Sequence, residues 1–242
     1  SRVALSSADS KTILTQPLTP KKQLGLAPGV SVPEAKAIAK CMGCTINDVL
    51  LGCFTGALRR HLLRSGEAVD QTHLRVTVPV NLRTLEAASV LGNHFGLVYL
   101  DLPVAEKTAN ARIRGVRRNM KSLKNGVQAL MTYHVINLRG FVPAALQAWA
   151  VTFFSSKASA VMTNVPGPAE PVVMNGNKLT KPMFWVPQTG DIGLGVSIFS
   201  YNNQVQFGFL ADAALVPDAQ ALVDDFINEY ESVRCEALGP RA

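Results

Sequence analysis

The feature that most limits what this chain can become lies near its middle. Ala109, Ile113, Val116, Met120, Leu123, Val127 and Leu130 recur at alternating spacings of four and three, which places them on one stripe of an α-helix. Lys107, Arg114, Arg117, Arg118, Lys121 and Lys124 fall on the opposite side of the same wheel. Such a helix needs an apolar layer to lie on, supplied by a sheet or by other helices. Its other side must face something wet or anionic. Residues 107–169 carry nine Lys/Arg and no Asp/Glu, while the whole chain of 242 residues nets +7. Residues 170–242 lean the other way, with nine acidic and four basic residues. Three readings of the basic face stay open: a solvated helix surface, attraction to an anionic membrane surface, and contact with phosphates of a ligand such as coenzyme A. Nucleic acid is the weakest candidate, because no aromatic interleaving accompanies the charges and the final third is acidic.

The elements around this helix alternate in kind. Residues 1–30 are rich in Ser, Thr, Pro and Lys and read as a linker or extended lead-in, which leaves 31–242 as the folded domain. Pro33 opens a short helix to about Cys41, ended by Gly43. Thr45 has the character of an N-cap with Asp48 three residues on, at the head of an apolar helix. Strands are expected over 73–80 and 95–101. A second apolar helix is expected from Pro143 to about Phe154, and a strand over 158–164 that breaks at Pro166-Gly167-Pro168. A β-rich run then covers 179–186, 193–200 and 204–210, with a hairpin turn at Tyr201-Asn202-Asn203 because Asn tolerates positive φ. Pro217 and Asp218 start a last helix. This order predicts an α/β fold, a mixed sheet with helices packed on it in a two-layer sandwich.

Composition excludes several classes. Hydrophobic residues are 48% and charged residues 17%, which is too apolar for a disordered chain. The longest apolar stretch, residues 141–154, is interrupted by Pro143 and Gln147 and is shorter than a membrane helix needs. The start, Ser1-Arg2-Val3-Ala4, carries neither a leader-length apolar run nor an initiator Met, so a mature or cut chain is expected. Four Cys do not form a disulfide framework at this length, and Cys41-x-x-Cys44 lacks the second pair of a structural zinc site. They read as ordinary buried thiols in a reducing compartment, and no metal is expected.

Chemistry is harder to locate. Gly-x-Ser-x-Gly does not occur. Gly190-Asp-Ile-Gly-Leu-Gly195 fits neither the dinucleotide fingerprint nor a P-loop, and it runs into a strand. His61, His73, His94 and His134 are isolated, with no metal-ligand spacing and no evident orienting partner. Polar residues do sit at strand ends and in a first helical turn, where they can line a cleft: Asn47 and Asp48, Asn81 and Arg83, Asn93, Thr163 and Asn164. The bland alternative for Asp48 is capping, and for the Asn residues it is satisfying loop backbone.

Together these segments resemble a family. Thr45-Ile-Asn-Asp-Val-Leu, Pro79-Val-Asn-Leu-Arg, Leu91-Gly-Asn-His-Phe-Gly, Asn164-Val-Pro-Gly-Pro and Val196-Ser-Ile-Phe-Ser-Tyr-Asn resemble, in that order, the C-terminal half of bacterial wax ester synthase/diacylglycerol acyltransferases. The resemblance covers residues 33–235 most securely. It implies a chloramphenicol-acetyltransferase-like fold in which two similar halves enclose a substrate tunnel. It also implies transfer of a fatty acyl group from acyl-coenzyme A to diacylglycerol or a long-chain alcohol. The family's HHxxxDG motif, whose second His is the general base, belongs to the N-terminal half and is absent here. Asn47 and Asp48 match the family's activity-linked Asn-Asp motif. Asn81, Arg83, Asn93, Thr163, Asn164 and Gln188 are candidates for tunnel or substrate contacts. Arg114, Arg117, Arg118, Lys121 and Lys124 form the candidate basic surface.

The expected partners are therefore the N-terminal half, acyl-coenzyme A as substrate rather than cofactor, and diacylglycerol or a fatty alcohol. No further cofactor and no nucleic acid are expected. The expected location is the cytoplasm, extended to the inner face of the membrane or lipid-droplet surfaces. The alternative function is a non-catalytic module that binds acyl-coenzyme A or lipid, or that attaches to membranes.

Overall fold

The computed structural model describes residues 9–82, 95–124, 152–153, 155–188 and 190–240. Arg83, Asn93, His94 and His134, and the helix expected from Pro143 except at its end, lie outside the described residues.

Among the described residues, seven strands form one mixed sheet, and four helices cover one of its faces. In chain order the elements are β1 (Lys22–Leu26), β2 (Val30–Ser31), α1 (Val32–Cys41), α2 (Ile46–Arg64), β3 (Leu74–Asn81), β4 (Phe95–Leu102), α3 (Ala109–Lys124) and β5 (Ala160–Pro166). There follow β6 (Val173–Met174), β7 (Asn177–Lys178), β8 (Leu194–Tyr201), β9 (Gln204–Asp212) and α4 (Ala219–Leu238). The sheet order is β1-β9-β8-β5-β3-β4, with β2 also on β9. β3, β5 and β8 run parallel, and the remaining pairs are antiparallel. This is the mixed-sheet, two-layer architecture expected from the sequence.

Local chemistry accounts for most boundaries. Ser31 caps α1, and the chain leaves it through Gly43 at φ 61°. Asn202 and Asn203 take φ 49° and 59°, the left-handed pair that a two-residue hairpin between β8 and β9 demands. Strand alternation then decides what is buried. Leu194, Val196 and Ile198 of β8 and Val205, Phe207 and Phe209 of β9 meet the helices. Phe54 of α2 and Phe226 of α4 close on them, with Phe207 and Phe226 stacked at 3.9 Å between ring centroids.

α2 is buried along residues 48–58 without interruption. It lies between α3 and α4, and two glycines make room for that. A Cβ on Gly52 would stand 2.3 Å from Ile113 Cγ1, and one on Gly56 would stand 2.5 Å from Glu229 Cδ. Above Gly56 sits a buried ionic cluster in which Glu229 accepts from Arg60 at 2.7 Å and from Arg112. Arg112 thus differs from the other basic residues of α3: it falls beside the apolar stripe and is buried against α4.

Three sequence expectations change. Residues 179–186 form no strand. The segment lies across the second face of the sheet, where Met183 and Trp185 pack on Gly208 and the Val186 N–H donates to Ser197 Oγ at 3.0 Å. Pro182 lies within it and Pro187 follows it, and both lack the N–H group a ladder needs. Within the stretch read as a linker or lead-in, Lys22–Leu26 pairs with β9 along Leu210 and its neighbours, and Asp9 is buried against Arg75 and Ser159. The thiols are all free, but only Cys53 is buried; Cys41 and Cys235 are exposed because they lie on outward faces of the last turns of α1 and α4.

Candidate functional site

The parallel strands β3, β5 and β8 end together at one edge of the sheet, and α2 begins there. Strand C-termini beside a helix N-terminus are where open α/β sheets place ligands. At the head of α2 the capping box is complete. Thr45 Oγ1 accepts from the Asp48 N–H at 3.2 Å, and Asp48 Oδ2 accepts from the Thr45 N–H at 2.9 Å. Asp48 is buried, so its carboxylate is committed to the helix terminus, where the dipole favours it.

That box fixes the residue between its members. Asn47, in the first turn of α2, presents Oδ1 to the Asn164 side chain, whose Nδ2 donates to it at 2.5 Å. Asn164 ends the helix-facing alternation Ala160, Met162, Asn164 of β5. The two amides are 117 positions apart in sequence. Among the described residues, Asn47 Nδ2 and Asn164 Oδ1 have no hydrogen-bond partner, so the pair keeps one donor and one acceptor to offer. An amide pair can hold a hydroxyl or donate to a developing oxyanion, but it cannot take a proton at neutral pH.

The other candidates divide. Asn81 is exposed at the end of β3, opposite Phe95, and belongs to the same edge. Thr163 points to the second face, because neighbours on a strand alternate. Gln188 also lies over that second face and donates through Nε2 to the Leu210 carbonyl. Apolar side chains surround the edge: Val80, Phe95 and Val165 each keep 36–40% of their surface exposed, and the β6–β7 hairpin carries Val173 and Met174 at 62% and 64%. This apolar rim did not stand out in the sequence. The only signal for it was that hydrophobic residues continue past the point where each strand leaves the core.

No described histidine reaches this edge. His61 is buried on α2 with Nε2 2.9 Å from the Leu215 carbonyl, and burial holds its pKa below the ordinary value. His73 is exposed beyond the start of β3. Among the described residues no group of three or more His, Cys, Asp or Glu could hold a metal ion. Burial and the charge of Asp48 push the Cys44 thiol up to about 11, which disfavours its thiolate.

The basic stripe borders the same end of the molecule. Arg114, Arg117, Arg118 and Lys121 are exposed on α3, and a Cβ on Gly43, two residues before Thr45, would stand 3.7 Å from the Arg117 guanidinium. Lys124 is the last residue of α3. Among the described residues, no single helix is long and apolar enough to cross a membrane.

The WS/DGAT C-terminal domain family profile matches residues 91–234. The chain is 29% identical over 197 residues to a protein of Mycobacterium tuberculosis named as a diacylglycerol O-acyltransferase, covering 80% of this chain and 42% of that protein. It is 26% identical over 223 residues to the O-acyltransferase WSD of Acinetobacter baylyi, covering 91% and 48%. The solved wax ester synthase/diacylglycerol acyltransferase of Marinobacter aquaeolei superposes with a TM-score of 0.71 at 22% identity, over 95% of this chain and 52% of that one. The chain spans about half the length of the curated relatives it matches.

Proposed function

The chain belongs to the WS/DGAT C-terminal domain family, and from that premise we propose that it is the C-terminal half of an O-acyltransferase acting on acyl-coenzyme A and diacylglycerol or a long-chain alcohol. The acceptor hydroxyl attacks the thioester carbonyl, the carbonyl oxygen gains negative charge, and the coenzyme A thiolate departs. The base that takes the hydroxyl proton comes from an N-terminal half carrying HHxxxDG. This half contributes the amide pair Asn47–Asn164, which orients the acceptor hydroxyl or donates to the oxyanion. Asn81 stands at the rim, and the N-terminal half covers the apolar edge around Val80, Phe95 and Val165. Acyl-coenzyme A is a substrate, and the reaction needs no further cofactor. The enzyme works at the cytoplasmic face of a membrane or at a lipid-droplet surface.

The observation that carries this reading is the amide pair at a strand-end edge ringed by exposed apolar side chains. A second reading, a non-catalytic lipid- or acyl-coenzyme A-binding module, draws on the absence of HHxxxDG from these 242 residues. Thiol release from a fatty acyl-coenzyme A, measured with and without diacylglycerol on the full natural polypeptide, separates the two. Acceptor-dependent release is expected. Tight acyl-coenzyme A binding without acceptor-dependent release would favour the binding module.

A further inference from the structure

We propose that the exposed face of α3 is a docking surface for an anionic lipid bilayer, with Arg114, Arg117, Arg118 and Lys121 as its contacts. The inference rests on the acyltransferase reading only for its purpose, which is to bring the Asn47 edge to an acceptor held in a membrane.

Three observations carry it. The first is charge. The four side chains are all exposed, α3 holds no acidic residue, and none of the four is in an ion pair among the described residues. Glu236 shares a cavity with Arg114 and Arg117, but its carboxylate accepts from the Asn110 amide and forms no ion pair with either. The other arginines of the helical layer behave differently: Arg59, Arg60, Arg64, Arg112 and Arg234 all pair with carboxylates. An unpaired basic stripe on a protein that otherwise neutralises its helix arginines is therefore a distinct feature of α3.

The second is shape. The charges follow one helix ridge over two turns, roughly 10 Å at 1.5 Å per residue. Small-molecule sites are concave. A cavity of about 240 Å³ beside α3 takes in Arg114 and Arg117 but not Arg118 or Lys121. A row on a convex ridge matches a plane of headgroups better than one bound phosphate group.

The third is position. Arg59 reaches Val104, Gly52 faces Ile113 and a Cβ on Gly43 would stand 3.7 Å from the Arg117 guanidinium, so α2 and α3 run antiparallel and the middle of the stripe lies near the turn that leads into Asn47. Docking by this ridge places the candidate site at the membrane boundary rather than on the far side of the molecule.

Each basic residue near an anionic surface contributes about 1 kcal/mol, so four give roughly a thousandfold preference for anionic over neutral vesicles. The test is co-sedimentation of the full natural polypeptide with phosphatidylcholine vesicles and with vesicles containing phosphatidylglycerol, across a salt series. Strong preference for the anionic vesicles, fading towards 1 M salt, is expected. The triple variant Arg117→Gln/Arg118→Gln/Lys121→Gln should bind about a hundredfold more weakly with an unchanged melting temperature. Equal binding to both vesicle types, salt-insensitive binding, or displacement of protein from vesicles by free coenzyme A would overturn the proposal, and these readings need no variant. Thiol release with a water-soluble alcohol acceptor requires no bilayer. If vesicle binding fails while that activity stands, docking is refuted and the acyltransferase reading survives; the reverse result refutes only the latter.

Discussion

Asp48 and Asn47 are neighbours with different expected roles, and replacing Asp48 tests that division. The Asp48→Ala change removes the acceptor of the Thr45 N–H and a carboxylate in the first turn of a buried helix. Loss of the reciprocal half of a capping box costs about 1 kcal/mol, and loss of the charge–dipole term adds about 0.3–1 kcal/mol. A total near 1.5 kcal/mol lowers the melting temperature of a chain this size by about 4 °C. Asp48→Asn keeps an acceptor for the Thr45 N–H and loses only the charge, so it should cost less than half as much. Thermal unfolding and initial rates are measured on the same preparations, with rates expressed per folded molecule. Turnover should stay within about threefold for Asp48→Asn, because Asn47 remains in place. An unchanged melting temperature together with a collapse of turnover in both variants would refute the assignment and make Asp48 a participant in the reaction.

Other expectations follow from the same structure. Asn47→Ala should change stability by no more than about 1 kcal/mol, because the partner amide is open to water, while lowering turnover by about a hundredfold if the pair supplies an oxyanion donor; unchanged turnover at equal protein level contradicts this. Phe226→Ala removes the ring stacked on Phe207 and should cost about 3–5 kcal/mol in chemical denaturation; a cost under 1 kcal/mol would mean that the aromatic cluster is not the centre of the core. Burial raises the Asp9 pKa from 3.8 to about 6, outweighing the favourable bonds from Arg75 and Ser159. A raised folded-state pKa means that the group's stability is fully present below about 4 and is lost as pH rises through 6. Asp9→Asn should therefore stabilise the protein at pH 8, by up to about 3 kcal/mol, with the gain vanishing below pH 4. A pH-independent difference would contradict the burial argument.

What the sequence disclosed depended on the range of the interaction. The capping box at Thr45, the Asn202-Asn203 turn and the stripe on α3 are local, and spacing alone reveals them. β1 gives little sequence signal because an edge strand of five residues that includes Gly25 has almost no alternation to display. Residues 179–186 look β-rich because aromatic and β-branched side chains suit any extended backbone that packs on a sheet, whether or not a ladder forms. At the candidate site, the sequence marks Asn47 by its position at a helix start and Asn164 by its position at a strand end. Their pairing depends on how β5 meets α2 in space, which no periodicity encodes. Thr163 and Asn164 are adjacent in sequence, but strand alternation sets them on opposite faces. Arg112 shows the same lesson on a helix, since its place next to Ile113 and Val116 on the wheel decides its burial more than its charge does.

The central claim is that Asn47 and Asn164 act as one unit in acyl transfer. The most direct measurement is a double-mutant cycle on acceptor-dependent thiol release, comparing Asn47→Ala, Asn164→Ala and the double variant in the full natural polypeptide. The account predicts two single losses of similar size and a double variant no slower than either single one, because each change dismantles the same hydrogen-bonded pair. Losses that multiply in the double variant, or no loss in either single variant, would contradict it.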